Sequence, residues 1–155
     1  MKLNKEQKAT NFITMSHIDR VRHHINSITI NLLKRGEEHD QSKLDTPEVE
    51  LFTEFTPKLA NSTYDSDEYK QFLKDMKPAL DHHYARNRHH PEHFKNGVDD
   101  MNIVDLIEML CDWKAATERH NDGNLRKSIE INANRFNLSP QLVKILENSM
   151  DLFDK

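Results

Sequence analysis

Histidine is concentrated in one segment, DHHYARNRHHPEH at residues 81–93, which holds five of the ten histidines of the chain. If residues 80–90 are helical, His83, Asn87 and His90 are spaced i, i+4 and i+7 and line one face. This spacing would bring together imidazole nitrogens that bind a metal and an amide that orients them. The alternative is a polar, partly protonated surface.

A neighbouring face of the same segment combines histidine with arginine. His82, Arg86 and His89 repeat the spacing of i, i+4 and i+7. Arg86 and Arg88 also allow the segment to bind phosphate, because a guanidinium group matches the geometry of phosphate oxygens. The segment could therefore bind phosphate as well as a metal ion.

The doublet His39-Asp40 is a second candidate. An adjacent imidazole and carboxylate can offer nitrogen and oxygen to one cation, which suits divalent transition metals or, with more carboxylates, magnesium. Lys43 follows Asp40 by one helical turn, where it could bind a phosphate or pair with the carboxylate. An ordinary surface lysine is the alternative.

Three carboxylates share one stripe of the helix predicted for DLIEMLCDWKAAT. Asp105, Glu108 and Asp112 are spaced i, i+3 and i+7 on an otherwise apolar helix. Buried acids need a partner, and either a metal ion or ion pairs with arginine and lysine would supply one. The spacing leaves both explanations open.

Helices are the elements that must position these residues. The chain of 155 residues has three glycines, and β-branched runs with period-two alternation are absent. We expect an all-α protein, a bundle of six to seven helices forming one domain over residues 1–155. The first helix has an apolar stripe at intervals of three and four: Phe12, Met15, Ile18, Val21, Ile25, Ile28 and Leu32.

Capping signals predict where the helices begin and end. Gly36 can close the first helix in the left-handed conformation. Asp45 or Thr46 can cap the second helix at its start. Two shorter helices are expected around 124–136 and 140–152.

Prolines add boundaries in the middle of the chain. Pro78 should kink or split the helix that begins near Asp67. Pro91 should end the histidine-rich helix near His89 or His90. A further helix is expected from Met101 to about His120.

These motifs occur in an order that resembles the HD-domain metal-dependent phosphohydrolases. HIDRV lies in the first helix, followed by HDQSK, the histidine cluster and CDWKAAT on a later helix. The family pattern is a histidine on one helix, a His-Asp doublet, optional further histidines and an aspartate on a later helix. Over residues 12–120 the chain is most similar to small HD-like proteins of phages and bacteria, whose name implies no settled substrate.

The resemblance implies a set of metal ligands. In chain order these are His17, His39, Asp40, His83, His89, His90 and Asp112. Asp105 competes with Asp112 for the closing position. Ser42 stands where the family often has glycine. By its spacing alone, His17 fits a histidine at the edge of the core with a hydrogen-bond partner better than a metal ligand.

The expected function is hydrolysis of a phosphomonoester or phosphodiester, with a nucleotide as the favoured substrate. One or two divalent ions (Mn, Fe, Zn, Ni, Co or Mg) would be the cofactor, and Asp40 could bridge two of them. The residues expected to take part in the reaction are Asp40, Lys43 and Glu108. The residues expected to contact the substrate are Lys43, Arg86, Asn87 and Arg88. Two alternatives stay open: a nucleotide-binding or inhibitor protein without catalysis, and a di-iron oxygenase.

Composition limits the partners. A formal net charge of −4 argues against a broad electrostatic nucleic-acid binder, so we expect a small phosphorylated partner and consider a homodimer. No run of 18 apolar residues exists, and MKLNKEQKATNF lacks the apolar segment of a secretory signal. The single cysteine, Cys111, fits a reducing, cytoplasmic compartment, which is that of the bacterial host if a phage encodes the chain.

Overall fold

The computed structural model describes residues 3–62, 66–119 and 123–153. Within these residues the chain forms seven α-helices, four short 3-10 turns and no strand, so the predicted all-α fold is confirmed. The helices are α1 (Lys5–Glu38), α2 (Glu48–Asn61), α3 (Asp67–Asp75), α4 (Lys77–Arg86), α5 (Ile103–Thr117), α6 (Leu125–Phe136) and α7 (Pro140–Asn148). The 3-10 turns are Gln41–Leu44, Pro91–His93, Gly97–Asp100 and Met150–Leu152.

The chain divides into two compact units, residues 1–37 and residues 38–155. The first unit is built from α1, which carries the predicted apolar stripe along one side. The predicted cap at Gly36 is wrong, because α1 continues through this glycine to Glu38. The left-handed residue comes later, at Asp40 (φ 56°). The prediction of one domain over the whole chain stays a prediction.

The core of the second unit lies among α5, α6 and α7. Its buried residues are Met109, Leu110, Trp113, Leu125, Ile129 and Leu146. The rings of Trp113 and Phe136 stack with centroids 6.4 Å apart. Met109, Leu110 and Trp113 lie on the side of α5 that packs against this core. The stripe of α5 that carries the three carboxylates therefore lies on a neighbouring side of the helix.

The packing of α2, α3 and α4 forms another part of the second unit. The helix α2 contacts both α3 and α4, and also the turn Gln41–Leu44. Phe55, Met76 and Ala79 are buried here. The predicted split at Pro78 is confirmed: α3 ends at Asp75, and the proline lies in the first turn of α4, where its missing N–H costs nothing.

The start of α2 differs from the prediction. Pro47 occupies the position before the helix, and no side chain caps it. The Thr46 hydroxyl donates to Oε1 of Glu50 at 2.6 Å, and no capping side chain accepts from the first N–H groups of α2. The caps predicted at Asp45 and Thr46 are therefore wrong by one or two residues.

The end of α4 also differs from the prediction. The helix stops at Arg86, not at His89 or His90. Asn87 is extended (φ −113°, ψ 102°), and both its backbone N–H and its side-chain amide donate to the carbonyl of His83. Residues 87–90 therefore form a turn before Pro91.

The two C-terminal helices begin as predicted, but α7 ends at Asn148, and a 3-10 turn covers Met150–Leu152. Ser139 accepts a hydrogen bond from the N–H of Leu142, and Pro140 opens α7. The helix predicted from Met101 to about His120 is shorter at both ends, since α5 runs from Ile103 to Thr117; His120 itself lies outside the described residues. No described helix combines the length and the apolar composition needed to cross a membrane.

Candidate metal centre

Six side chains of the second unit form two overlapping groups that could hold metal ions. Within each group the ligand atoms lie within 4.8 Å of one another. The first group is Asp40, His83, His89 and His90. The second group is His39, Asp40, His89 and Asp112. Imidazole nitrogens and carboxylate oxygens together suit divalent cations. We call the two groups the candidate metal centre.

Asp40 is a member of both groups. Its backbone is left-handed, a conformation that aspartate and asparagine tolerate better than most residues. Lys43 Nζ donates to Asp40 Oδ2 at 2.6 Å. The other oxygen, Oδ1, lies 3.3 Å from His83 Nε2 and 3.6 Å from His89 Nε2. The turn after α1 thus directs this carboxylate toward two histidines.

His89 provides a test of whether a cation fits. Its residue is 1% exposed, and among the described residues its Nε2 has no hydrogen-bond partner. The buried Oδ1 of Asp40 has none either. A buried polar atom that lacks a partner costs free energy. A cation between these two atoms would satisfy both, so the residues present fit a metal ion.

Glu108 contacts two histidines of the centre through one oxygen. Its Oε1 is hydrogen-bonded to His39 Nδ1 at 2.9 Å. It also lies 3.1 Å from His89 Nδ1, within ion-pair distance but without the geometry of a hydrogen bond. The opposite nitrogen of His39, Nε2, lies 3.5 Å from Asp40 Oδ2 and 3.8 Å from Asp112 Oδ1. A carboxylate on one ring nitrogen that leaves the other for a metal is a common arrangement around bound ions. The catalytic role predicted for Glu108 stays a prediction.

Glu48 was missed by the sequence analysis. It is 0% exposed, and its oxygens lie 2.6 Å from His82 Nδ1 and 2.8 Å from His83 Nδ1. Burial alone would raise the pKa of Glu48, but hydrogen bonds from His82, Ser42 and His83 hold it below its ordinary value. In the sequence this residue is only an acid in the first turn of a helix, where the helix dipole favours acids.

His90 completes the first group. Its Nε2 lies 2.9 Å from Nε2 of His83. Burial, together with the neighbouring His89 and His83, lowers the pKa of His90 to about 3. Burial also lowers the pKa of His83. Both rings are therefore neutral at neutral pH, which is the form that binds metals.

In the second group the pKa of a histidine is raised, whereas in the first group the pKa values of His83 and His90 are lowered. The carboxylates of Asp112 and Glu108 raise the pKa of His39 to about 10. Burial would raise the pKa of Asp112, but its histidine neighbours, His39 first, hold it below the ordinary value. Burial would also raise the pKa of Asp40, but the Lys43 ammonium holds it below the ordinary value. A cation bound here would take the place of the His39 proton.

Asp105 and Arg88 form a separate pair. Arg88 Nε and Nη2 donate to the two Asp105 oxygens at 3.1 and 3.0 Å. Asp105 also accepts from the backbone N–H of Asn102, which caps α5. Of the two aspartates that competed for the closing position, the structure brings Asp112 into the candidate metal centre and pairs Asp105 with arginine.

The other predicted substrate contacts lie around α4. The amide of Asn87 is buried and donates to Ser42 Oγ at 2.8 Å and to the carbonyl of His83 at 2.9 Å. Arg86 is exposed at the end of α4, and Lys43 lies beside Asp40. Their contacts with a substrate stay predictions.

His17 lies on α1, in the first compact unit. Both groups of the candidate metal centre are formed by residues of the second unit. The role of His17 as a ligand stays a prediction.

No curated protein matches this chain, and no solved structure matches it. A family model described as a family of unknown function (DUF5662) matches residues 6–152. This range includes all six residues of the candidate metal centre. Since the match extends over nearly the whole sequence, the chain belongs to the DUF5662 family.

Proposed function

We propose that the chain is a metal-dependent phosphohydrolase of the HD type, with a centre for two divalent cations. The main support is the overlap of the two ligand groups at Asp40 and His89. In this overlap a buried imidazole nitrogen and a buried carboxylate oxygen face each other 3.6 Å apart without hydrogen-bond partners among the described residues.

The donor atoms favour a transition metal. The first group offers three imidazole nitrogens and one carboxylate, and the second offers two of each. Manganese, iron, cobalt, nickel and zinc accept imidazole readily, whereas magnesium prefers oxygen ligands and water. Of the six candidate ions, magnesium is therefore the least favoured.

Asp40 and Lys43 would connect metal binding with phosphate binding. Divalent cations in such a centre supply Lewis-acid activation of water and neutralise negative charge on phosphate oxygens. The Lys43 ammonium, 2.6 Å from Asp40 Oδ2, has a side chain 37% exposed. A cation at Asp40 Oδ1 would leave Lys43 on Oδ2, and the remaining N–H groups of this partly exposed ammonium could donate to a phosphate oxygen. Arg86 and Asn87 are the further candidates for substrate contact.

Metal content and phosphate release test the proposal. Protein purified without chelators should carry about two ions per chain, measured by elemental mass spectrometry. Protein loaded with manganese, cobalt or iron should release phosphate from a panel of phosphomonoesters, nucleotides and cyclic nucleotides, or open the cyclic ring. Asp112→Asn should abolish turnover, whereas Asp99→Asn, the same substitution at an exposed acid, should retain it.

Other outcomes point to other functions. A chain that binds no metal, or that hydrolyses equally well after Asp112→Asn, contradicts the proposed centre. Tight nucleotide binding without turnover favours the non-catalytic binding protein. Iron-dependent oxygen uptake favours the di-iron oxygenase.

A further inference from the structure

We propose that Glu48 is a positioning residue, whose carboxylate fixes His83 in the tautomer that carries its proton on Nδ1 and directs the lone pair of Nε2 into the candidate metal centre. Its effect on metal binding rests on the function proposed above. Its effect on the His83 tautomer is a property of the metal-free protein.

The two oxygens of Glu48 are shared between two histidines. Oε1 lies 2.6 Å from His82 Nδ1, and Oε2 lies 2.8 Å from His83 Nδ1. An ionised carboxylate accepts hydrogen bonds and has no hydrogen to donate. Both Nδ1 atoms must therefore carry hydrogens for these contacts to be hydrogen bonds.

Asn87 is the other polar side chain beside His83 Nδ1. Its Nδ2 lies 3.0 Å from His83 Nδ1. However, this amide nitrogen has only two hydrogens, and Ser42 Oγ at 2.8 Å and the carbonyl of His83 at 2.9 Å are closer acceptors for them. The Asn87 amide thus packs against the ring while Glu48 remains the acceptor for its proton.

The consequence appears at the other nitrogen of the ring. With its proton on Nδ1, a neutral His83 has a bare lone pair on Nε2. This atom lies 3.3 Å from Asp40 Oδ1 and 2.9 Å from His90 Nε2. In the metal-free protein the Nε2–H of His90 can donate to this lone pair, whereas the carboxylate oxygen of Asp40 cannot. A cation between His83 Nε2 and Asp40 Oδ1 would be attracted to both of these acceptor atoms. Glu48 therefore acts through His83 to create a cation-binding edge.

The tautomer can be measured directly. Long-range proton–nitrogen NMR correlations of the imidazole rings distinguish Nδ1–H from Nε2–H. Metal-free wild-type protein should show His83 as the Nδ1–H tautomer. Glu48→Met, which keeps the length of the side chain without an acceptor, should lose this preference. Glu50→Met, on the exposed part of the same helical turn, should leave His83 unchanged.

Glu48→Gln is the second variant, should the methionine variant fail to fold by circular dichroism. The single amide oxygen of glutamine can accept from only one of the two histidines, so the pair His82 and His83 should show one Nε2–H ring. Glu50→Gln is the matched control. A wild-type His83 that carries its proton on Nε2, or variants of Glu48 that leave both rings as Nδ1–H, would overturn the proposal.

Metal affinity gives the functional outcome. Competition with a chelator for zinc or cobalt should show a loss of ~10–100-fold in Glu48→Gln, the usual effect of removing an outer carboxylate, with the number of bound ions unchanged. Unchanged affinity would contradict the positioning role. If wild-type protein binds no metal, the proposed function fails, while the NMR measurement still decides whether Glu48 sets the tautomer of His83.

Discussion

Asp40→Asn should weaken the candidate metal centre more than a substitution at a residue of only one ligand group, because Asp40, like His89, belongs to both groups. Asparagine tolerates the left-handed backbone that Asp40 adopts (φ 56°), so the turn should keep its conformation. The amide, however, lacks the negative charge that faces His83 and His89. We therefore expect both groups to lose cation affinity while the fold is retained.

The size of the effect follows from linkage between binding and stability. Outer carboxylates typically contribute 10–100-fold to metal affinity, so the loss of a direct ligand should cost ~100-fold or more. At a free metal concentration of ~100 times the wild-type Kd, binding stabilises the folded protein by about 2.7 kcal/mol, and a variant with ~100-fold weaker affinity gains about 0.4 kcal/mol. For a chain of this length, the difference of ~2.3 kcal/mol corresponds to roughly 5–9 °C in Tm.

Thermal unfolding with increasing zinc or manganese is the assay. Wild-type protein and Asp99→Asn should show the full metal-dependent increase in Tm, and Asp40→Asn should show little of it. Asp40→Gly separates the carboxylate from the backbone, because glycine accepts the left-handed conformation without strain and offers no ligand. It should behave like Asp40→Asn. A full metal-dependent increase in Tm in either Asp40 variant would refute the assignment of Asp40 as a shared ligand.

Three further substitutions test the surroundings of the centre. Glu108→Gln should lower metal affinity ~10–100-fold, because a single amide oxygen replaces the carboxylate that contacts two histidines; chelator competition measures this, and unchanged affinity would contradict it. Arg88→Met should lower the free energy of unfolding in urea by ~1–3 kcal/mol through the lost hydrogen bonds to Asp105. The metal content should stay the same, and its loss would argue that Arg88 supports the centre itself. Ile129→Ala, at a core residue 1% exposed, should lower the free energy of unfolding by ~2–5 kcal/mol. An effect below ~1 kcal/mol would be inconsistent with a close-packed core there.

Local signals in the sequence predicted the helices but not all of their ends. The prolines at 78 and 140 act through their missing N–H and their fixed φ, which are local constraints, and both boundaries were predicted correctly. Gly36 failed as a cap because α1 continues to Glu38 and the left-handed position falls at Asp40. A glycine permits the left-handed conformation but does not require it. In this chain Asp40, in the turn that presents its carboxylate to the candidate metal centre, adopts that conformation instead.

Spacing within one helix could not separate the candidate ligands from the residues that pair elsewhere. Asp105 and Asp112 lie on the same stripe of α5, yet one pairs with Arg88 and the other joins the candidate metal centre. The difference depends on which element packs beside each turn of the helix. Glu48 was missed for the same reason, since its histidine partners are 34 and 35 residues away on α4. A contact between helices leaves no periodic signal in the sequence of either.

The histidines at 83 and 90 show how a sequence pattern can select residues that the structure does bring together, but for the wrong geometric reason. In a continuous helix, residues seven positions apart are separated by ~10.5 Å along the axis, and adjacent residues point ~100° apart. Neither arrangement would bring His83 Nε2 within 2.9 Å of His90 Nε2, or the rings of His89 and His90 to a centroid distance of 4.1 Å. These contacts exist because α4 stops at Arg86 and the chain reverses in the turn 87–90. The early end of the helix is therefore what gathers the three histidines, and the Asn87 amide that bonds the His83 carbonyl at this end is part of the architecture of the centre.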